Sequence, residues 1–534
     1  MGIYLNPENE NFRRTLAADI YVDKTMMIDV INRFIDKGNN YVCVSRPRRF
    51  GKTIAGNMLS AYYSKGCDSH ELFDSLKISK VRDYEDKLNK YNVIKLDLNS
   101  EYQNTEDRDN LIKIISEKIK AEMRREFSDI ELLDTDTLAE CILKIYAATG
   151  QTFVMIIDEY DVLVREQVKE ELFKKYLSFL NGLFKSDTLR PAISLAYITG
   201  ILPVIRDKVQ SKLNNFREYT ILNAAQLSEY VGFTSEEVET LCEENGVDFS
   251  ECKNWYDGYR LNGYEIYNPE SVVMCIDEHW FDSFWGRTST YEAIAERIRA
   301  NFEGTRDAVI RMLAGEEVDV NVTRYMNTMS SFTSRNDFLT YLIHLGYLAY
   351  NREEGTCRIP NLEIRGEWRN AIEAESDYAE TNRIIEASKE LLKETIAGNE
   401  KAVEEALDIS HIHVASNRSY NNEDVLQSAI YLAYIYALNR YTCVREMTAG
   451  KGFSDVTYIP IHPAPERPAI IIELKKDKTA ESAIAQIREK KYFESLKQYQ
   501  GNLLFVGIDY DEDKKTHSCR IERFEKKRVT GEKL

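Results

Sequence analysis

Residues 46–53 read Arg46-Pro47-Arg48-Arg49-Phe50-Gly51-Lys52-Thr53, a tight cationic loop ending in Gly-Lys-Thr. Backbone N–H groups of such a loop, backed by a helix N-terminus, surround a phosphate; Lys52 then reaches the terminal phosphates and the Thr53 hydroxyl takes Mg2+. Arg46 stands where the general G-x-x-x-x-G-K-[ST] pattern has its first glycine, which raises the steric cost of an open loop. Further on, the aliphatic run Phe153–Ile157 leads straight into Asp158, Glu159, Tyr160 and Asp161. Acids at the end of a buried strand fit a site where Asp158 supports the metal and Glu159 polarises an attacking water. Late in the chain come Asp455 and then Glu473 and Lys475, the last two closing the run Ile470-Ile471-Ile472. Two carboxylates brought together call for a divalent cation, Mg2+ or Mn2+, and Lys475 beside them would place a nucleophile or neutralise a scissile phosphate. Each motif also has a bland reading: a helix N-cap at Gly-Lys-Thr, a strand ending in a solvated turn at Asp158, and a charged surface hairpin at 455–475.

These residues need elements to hold them. Up to about residue 220 the chain alternates short β-rich runs with amphipathic stretches, the pattern of a parallel sheet with crossover helices. The runs are Tyr41–Ser45, Val93–Leu98, Phe153–Ile157 and Ser194–Thr199, and the helical stretches lie near 53–64, 107–127, 136–148 and 167–186. From about 225 to 400 the pattern is mostly helical. After that a helix over 423–438 precedes strands at 453–459, 469–475 and 503–508, with a polar helix at 479–498. The turn-rich segment between the first two of these strands centres on Ala464, and antiparallel pairing about that centre sets Asp455 opposite Glu473. Alternation puts Glu473 and Lys475 on one face of their strand.

The Tyr21-Val22-Asp23-Lys24-Thr25 segment, the Arg46–Thr53 loop, Ile157–Asp161 and Ile198-Thr199-Gly200-Ile201 together resemble the AAA-ATPase-like family of bacterial proteins. Trp255–Tyr259, Tyr267-Asn268-Pro269, Trp285 with Thr288 and Ser289, and Ile359-Pro360-Asn361 resemble later segments of the same family. The resemblance implies ATP and Mg2+ at residues 46–53, Asp158 and Glu159 as the acidic strand end, and Thr199 as a sensor of the γ-phosphate. Arg206 and Arg217 follow that strand and are arginine-finger candidates, with solvated arginine the plainer reading. The D…E-x-K arrangement resembles the PD-(D/E)XK nuclease superfamily. By that likeness Asp455 and Glu473 are metal ligands, Glu473 and Lys475 the E-x-K pair, Glu423 the first-helix acid and Gln486 the helix glutamine. Ser454 stands where many relatives have arginine.

The expected architecture is α/β: a P-loop NTPase core over 1–225, a mostly helical middle over 226–400, and a restriction-endonuclease-like α/β domain over 401–534. The expected activity is ATP hydrolysis with metal-dependent cleavage of DNA. The alternative is a nucleotide switch whose C-terminal domain binds nucleic acid or protein without cutting. A net charge of −18 argues against a surface coated for nucleic acid. Eighteen of the 70 basic and 15 of the 88 acidic residues fall in 441–534, so that segment carries +3 and the rest −21. Nine scattered cysteines without a C-x-x-C pair indicate reduced thiols. With no signal-like N-terminus and an apolar stretch at Val425–Leu438 shorter than the ~18–20 residues a bilayer needs, the expectation is a cytoplasmic protein without membrane contact, with homo-oligomerisation left open. His411 and His413 read as one side of a strand or loop with no third ligand at a metal-binding spacing.

Overall fold

The computed structural model of the protein describes all residues except 1, 205, 208–209, 212, 286–303, 314, 325–333, 374–378, 416–429, 431–432, 450–451, 461–466, 491–500 and 525–534. The chain divides into two compact units. One comprises Met1–Thr290, Ala300–Ala308 and Glu317–Arg365; the other comprises Tyr291–Arg299, Val309–Glu316 and Gly366–Leu534.

In the first unit, β1 (Tyr41–Ser45), β2 (Asn92–Asp97), β3 (Phe153–Asp158), β4 (Ile193–Gly200) and β5 (Arg217–Tyr219) form a sheet in the order 2-3-4-1-5. Every pairing in it is parallel. The helices are α1 (Lys52–Tyr63), α2 (Leu111–Glu126), α3 (Leu138–Thr149) and α4 (Glu170–Phe184). All residues of β1 and β4 are buried, as a parallel strand covered on both faces requires, and this is why these strands read as unbroken apolar runs. In α2 the residues Leu111, Ile115, Ile119 and Met123 are buried, one per turn. Thr137 and Glu140 close a capping box that starts α3, and Gly150 ends it with φ of 68°. Val44 lies opposite Thr199, and Ile157 opposite Ile198. The carboxyl ends of β1 and β3 thus flank that of β4, which is where a crevice opens in an open parallel sheet. Among the described residues the rest of this unit is mostly helical, with two three-stranded sheets and one two-stranded sheet of very short strands.

In the second unit, β6 (Tyr441–Ala449), β7 (Gly452–Pro460), β8 (Ala469–Lys476), β9 (Leu503–Asp511) and β10 (Thr516–Phe524) lie side by side in chain order. Only the β8–β9 pair is parallel, and α5 (Ala480–Glu489) lies in the crossover between them. β6 and β10 escaped the sequence reading because they are the sheet's edges, where charged residues break the apolar alternation. The β7–β8 hairpin pairs Val456 with Ile472, Thr457 with Ile471 and Tyr458 with Ile470, the register expected from a turn centred on Ala464. One step along it stand Asp455 and Glu473. Ile470, Ile472 and Leu474 pack with Leu504, Val506 and Ile508 on one face. Ala469 and Ile471 pack with Phe505 and with Ile484 and Ile487 of α5 on the other. By alternation Glu473 shares this second face.

The close approach of α5 depends on Gly507, the partner of Glu473 on β9. A Cβ there would lie 2.3 Å from the Ala480 carbonyl oxygen. Gly507→Ala is therefore expected to push α5 off the sheet and destabilise this unit by about 1–3 kcal/mol, measured by denaturant unfolding. Most of the helix expected over 423–438, Glu423 included, lies outside the described residues; its end is a short 3-10 turn, Ile435–Asn439. His411 and His413 lie in a helix, Glu400–Ala415, not in a strand or loop, because the segment carries helix-forming alanines and glutamates ahead of them. Among the described residues no helix is long and apolar enough to cross a membrane.

Candidate functional site

The Arg46–Thr53 loop connects β1 to α1, and the helix starts at Lys52. Gly51 holds φ at +88° and Arg49 at +67°, and Gly51 takes its left-handed turn without Cβ strain. Lys52, only 4% exposed, reaches back to donate from Nζ to the Pro47 carbonyl at 2.8 Å. Burial lowers its pKa, while Glu159, Asp158 and Asp161 pull in the opposite direction. Lys52 thus stands within electrostatic reach of the acidic end of β3, as the sequence motifs required.

Asp158 closes β3 and is 3% exposed. Its Oδ1 accepts hydrogen bonds from the Glu159 amide at 3.0 Å and from the Thr199 hydroxyl of β4. Thr199 is wholly buried. The structure commits its hydroxyl to orienting Asp158, since the β3–β4 register places the two side by side. Glu159 follows in a left-handed conformation, φ 53°, and its carboxylate pairs with Arg165. Burial pushes the Glu159 pKa up; Arg165 and Lys52 oppose that. Arg165 also stands 3.3 Å from Asp161, whose Oδ2 accepts from the Ile201 and Leu202 amides at 3.0 and 2.8 Å. A cavity of about 800 Å³ is lined by Arg48, Gly51, Lys52, Thr53, Asp158, Glu159 and Arg165. Ile20, Tyr21, Val22, Tyr230, Phe233 and Val273 also line it.

Arg46 does not serve the cradle. Fully buried, its guanidinium donates to the carbonyls of Ser45 (2.9 Å), Tyr219 (3.0 Å) and Leu227 (3.2 Å), binding the loop's root to β5 and the turn beyond it. A side chain with that many internal acceptors is structural, which corrects its expected place in nucleotide binding. Arg46→Ala is expected to strand these carbonyls and leave a void, costing about 2–5 kcal/mol in an unfolding titration. The Arg217 guanidinium sits over the Phe34 ring, 5.6 Å from its centre, away from the cavity lining, so it is no finger for this site. The side chain of Arg206 lies outside the described residues.

The middle motifs, for which the residues themselves suggested no chemistry, wall the loop. Arg49 Nη1 donates to the Phe284 carbonyl at 2.7 Å and stands 3.7 Å from Glu270. Phe50 meets Tyr259 edge to face with ring centres 5.5 Å apart. Pro47 packs so closely on Gly346 that a Cβ there would lie 2.8 Å from the proline ring and from Trp285. Asn361 Nδ2 ties the Asp257 carbonyl at 2.8 Å, joining the Trp255–Tyr259 and Ile359–Asn361 segments.

In the second unit, Asp455 Oδ2 accepts from the Leu474 amide at 2.7 Å. Glu473 Oε1 is held by Lys475 Nζ at 3.0 Å and by Gln486 Nε2 of α5. Glu473 Oε2 is buried and has no hydrogen-bond partner. Burial first, and the Asp455 charge second, push the Glu473 pKa up to about 7 against the pull of Lys475. An orphaned buried carboxylate oxygen beside a second carboxylate is a donor set suited to an oxygen-preferring divalent ion. The expected constellation of Asp455, Glu473, Lys475 and Gln486 therefore assembles, while Glu423 lies outside the described residues.

Residues 10–210 match the predicted AAA-ATPase family, and residues 421–519 match the PD-(D/E)XK nuclease superfamily. The chain joins an AAA-ATPase domain to a nuclease-superfamily domain. An uncharacterised protein of the vnfD 5′ region in Azotobacter chroococcum mcd 1 is 25% identical over 278 residues, 51% of either protein. The chain thus spans about half the length of that relative. The Aeropyrum pernix ORC2 protein, solved as ADPNP–ADP complexes, overlays at a TM-score of 0.32 with 10% identity, over 68% of this chain and 98% of that one. Sequence reading missed Arg165 of the AAA-ATPase domain. The signal was present as a basic residue one helical turn past Asp161, but nothing local says which acid it joins.

Proposed function

We propose that the first unit binds and hydrolyses ATP with Mg2+ and that the second cleaves DNA with Mg2+ or Mn2+, in the cytoplasm. The AAA-ATPase and nuclease-superfamily matches support this reading, and the observation that carries it is that each unit sets a lysine near carboxylates: Lys52 in the field of Asp158, which closes β3, and of Glu159 and Asp161 just after it, and Lys475 bonded to Glu473, which also feels Asp455. At the first site Thr53 and Asp158 would hold the metal, and Lys52 exchanges its Pro47 acceptor for a phosphate oxygen. Glu159 takes a proton from water as the water oxygen bonds to the γ-phosphorus, and the bond from that phosphorus to the β–γ bridging oxygen breaks, releasing ADP. At the second site Asp455 and Glu473 would hold the metal, which supplies a bound water of lowered pKa and charge stabilisation at a phosphodiester. Gln486 and Lys475 fix the Glu473 carboxylate, and Lys475 carries positive charge to the scissile phosphate.

The test is cleavage of plasmid, linear and single-stranded DNA with Mg2+ or Mn2+, with and without ATP. Lys475→Ala is expected to abolish cutting and Lys52→Ala to abolish ATP turnover. Binding of DNA without cutting, unchanged by Lys475→Ala, would replace the nuclease with a binding module switched by nucleotide.

A further inference from the structure

Arg165 has no part in the scheme above, yet it is the cation nearest the proposed base. It lies just past Asp161 at the end of a short helix, 9% exposed, and lines the same cavity as Lys52, Thr53, Asp158 and Glu159. Its guanidinium is shared between Glu159 and Asp161. The two acids are held differently. Asp161 is fully buried and also accepts hydrogen bonds from two backbone amides. Glu159 sits on a left-handed residue at the cavity wall, with Arg165 as its pairing partner. While it pairs with Arg165, the Glu159 carboxylate is committed to the guanidinium and not to a water. A guanidinium presents several donors in a plane and binds phosphate oxygens in the same geometry as carboxylate oxygens. A triphosphate entering the cavity therefore competes with Glu159 for Arg165.

We infer that Arg165 is the γ-phosphate sensor of this site: it holds Glu159 in the resting pocket and exchanges it for the terminal phosphate of ATP, which frees the carboxylate to face the attacking water. This rests on the ATPase reading and deepens it. A nucleoside diphosphate lacks the group that draws Arg165 away, so the resting pair persists in its presence. Arg165 is then a positioning residue for Glu159 and a ligand for the triphosphate, and it makes hydrolysis conditional on a complete nucleotide.

The experiment measures equilibrium binding of a non-hydrolysable ATP analogue and of ADP, each with Mg2+, to the full chain as wild type, Arg165→Ala, Arg165→Lys, Glu159→Gln and the Glu159→Gln, Arg165→Ala double variant. Arg165→Ala is expected to weaken the triphosphate analogue at least tenfold and ADP less than twofold, to raise KM and to lower kcat. The double variant contains no glutamate charge to be left unpaired, so the same loss of discrimination there excludes a merely structural role. An unchanged preference for triphosphate over diphosphate in both backgrounds overturns the inference. So does failure of every Arg165 variant to fold while Glu159→Gln folds. If the wild type binds neither nucleotide, it is the ATPase reading that fails instead.

Discussion

Glu473→Gln is expected to remove metal-dependent DNA cleavage by a factor of about a hundred or more, and to make the metal-free protein more stable at pH 8. The two effects have one cause. In the folded chain burial and Asp455 raise the Glu473 carboxyl to about 7, against about 4.3 for an unperturbed glutamate. A raised carboxyl favours the fold only while protonated, so this contribution is complete below about pH 4 and is lost as pH rises towards 7. At pH 8 without metal the wild type holds a buried anion, and the neutral amide relieves about 2 kcal/mol of that. Thermal unfolding in EDTA should show the variant ahead at pH 8 and level with the wild type near pH 4. Added Mn2+ should raise the wild-type midpoint and leave the variant where it was. A wild type indifferent to Mn2+ would remove the metal site and with it the nuclease.

Glu159→Gln is expected to lower ATP turnover about 10²- to 10⁴-fold, the span of a positioned general base, while leaving ATP binding within a few fold. The substitution keeps the side chain's size and a hydrogen-bond acceptor for Arg165 while removing its charge. Asp158→Asn offers the contrast. Its oxygen anchors both the Glu159 amide and the Thr199 hydroxyl, so loss of charge there should weaken Mg2+-dependent binding as well as turnover. Single-turnover hydrolysis alongside nucleotide titration separates the two. Equal losses in binding for both variants would mean that Glu159 is a ligand and not the base.

Much of this was legible along the chain. A parallel strand covered on both faces declares itself as an unbroken apolar run, so the buried runs at 41–45, 153–158 and 193–200 could be recognised, and with them the loop and acids at their ends. The hairpin register followed from a turn rich in proline, because pairing about a fixed centre leaves one partner for each residue. Those features are set within windows of a few residues, where backbone stereochemistry and alternation act. What tertiary structure alone decided is which partner each charged group takes. Arg46, read as part of a phosphate cradle, bonds carbonyls up to 181 residues away. Thr199, read as a sensor, holds Asp158. Pro47, Arg49 and Phe50 meet Gly346, Phe284 and Tyr259, residues distant in sequence. Long side chains reach whatever packing brings near, and that depends on how the sheet order 2-3-4-1-5 and the later helices fill space, which no local pattern encodes.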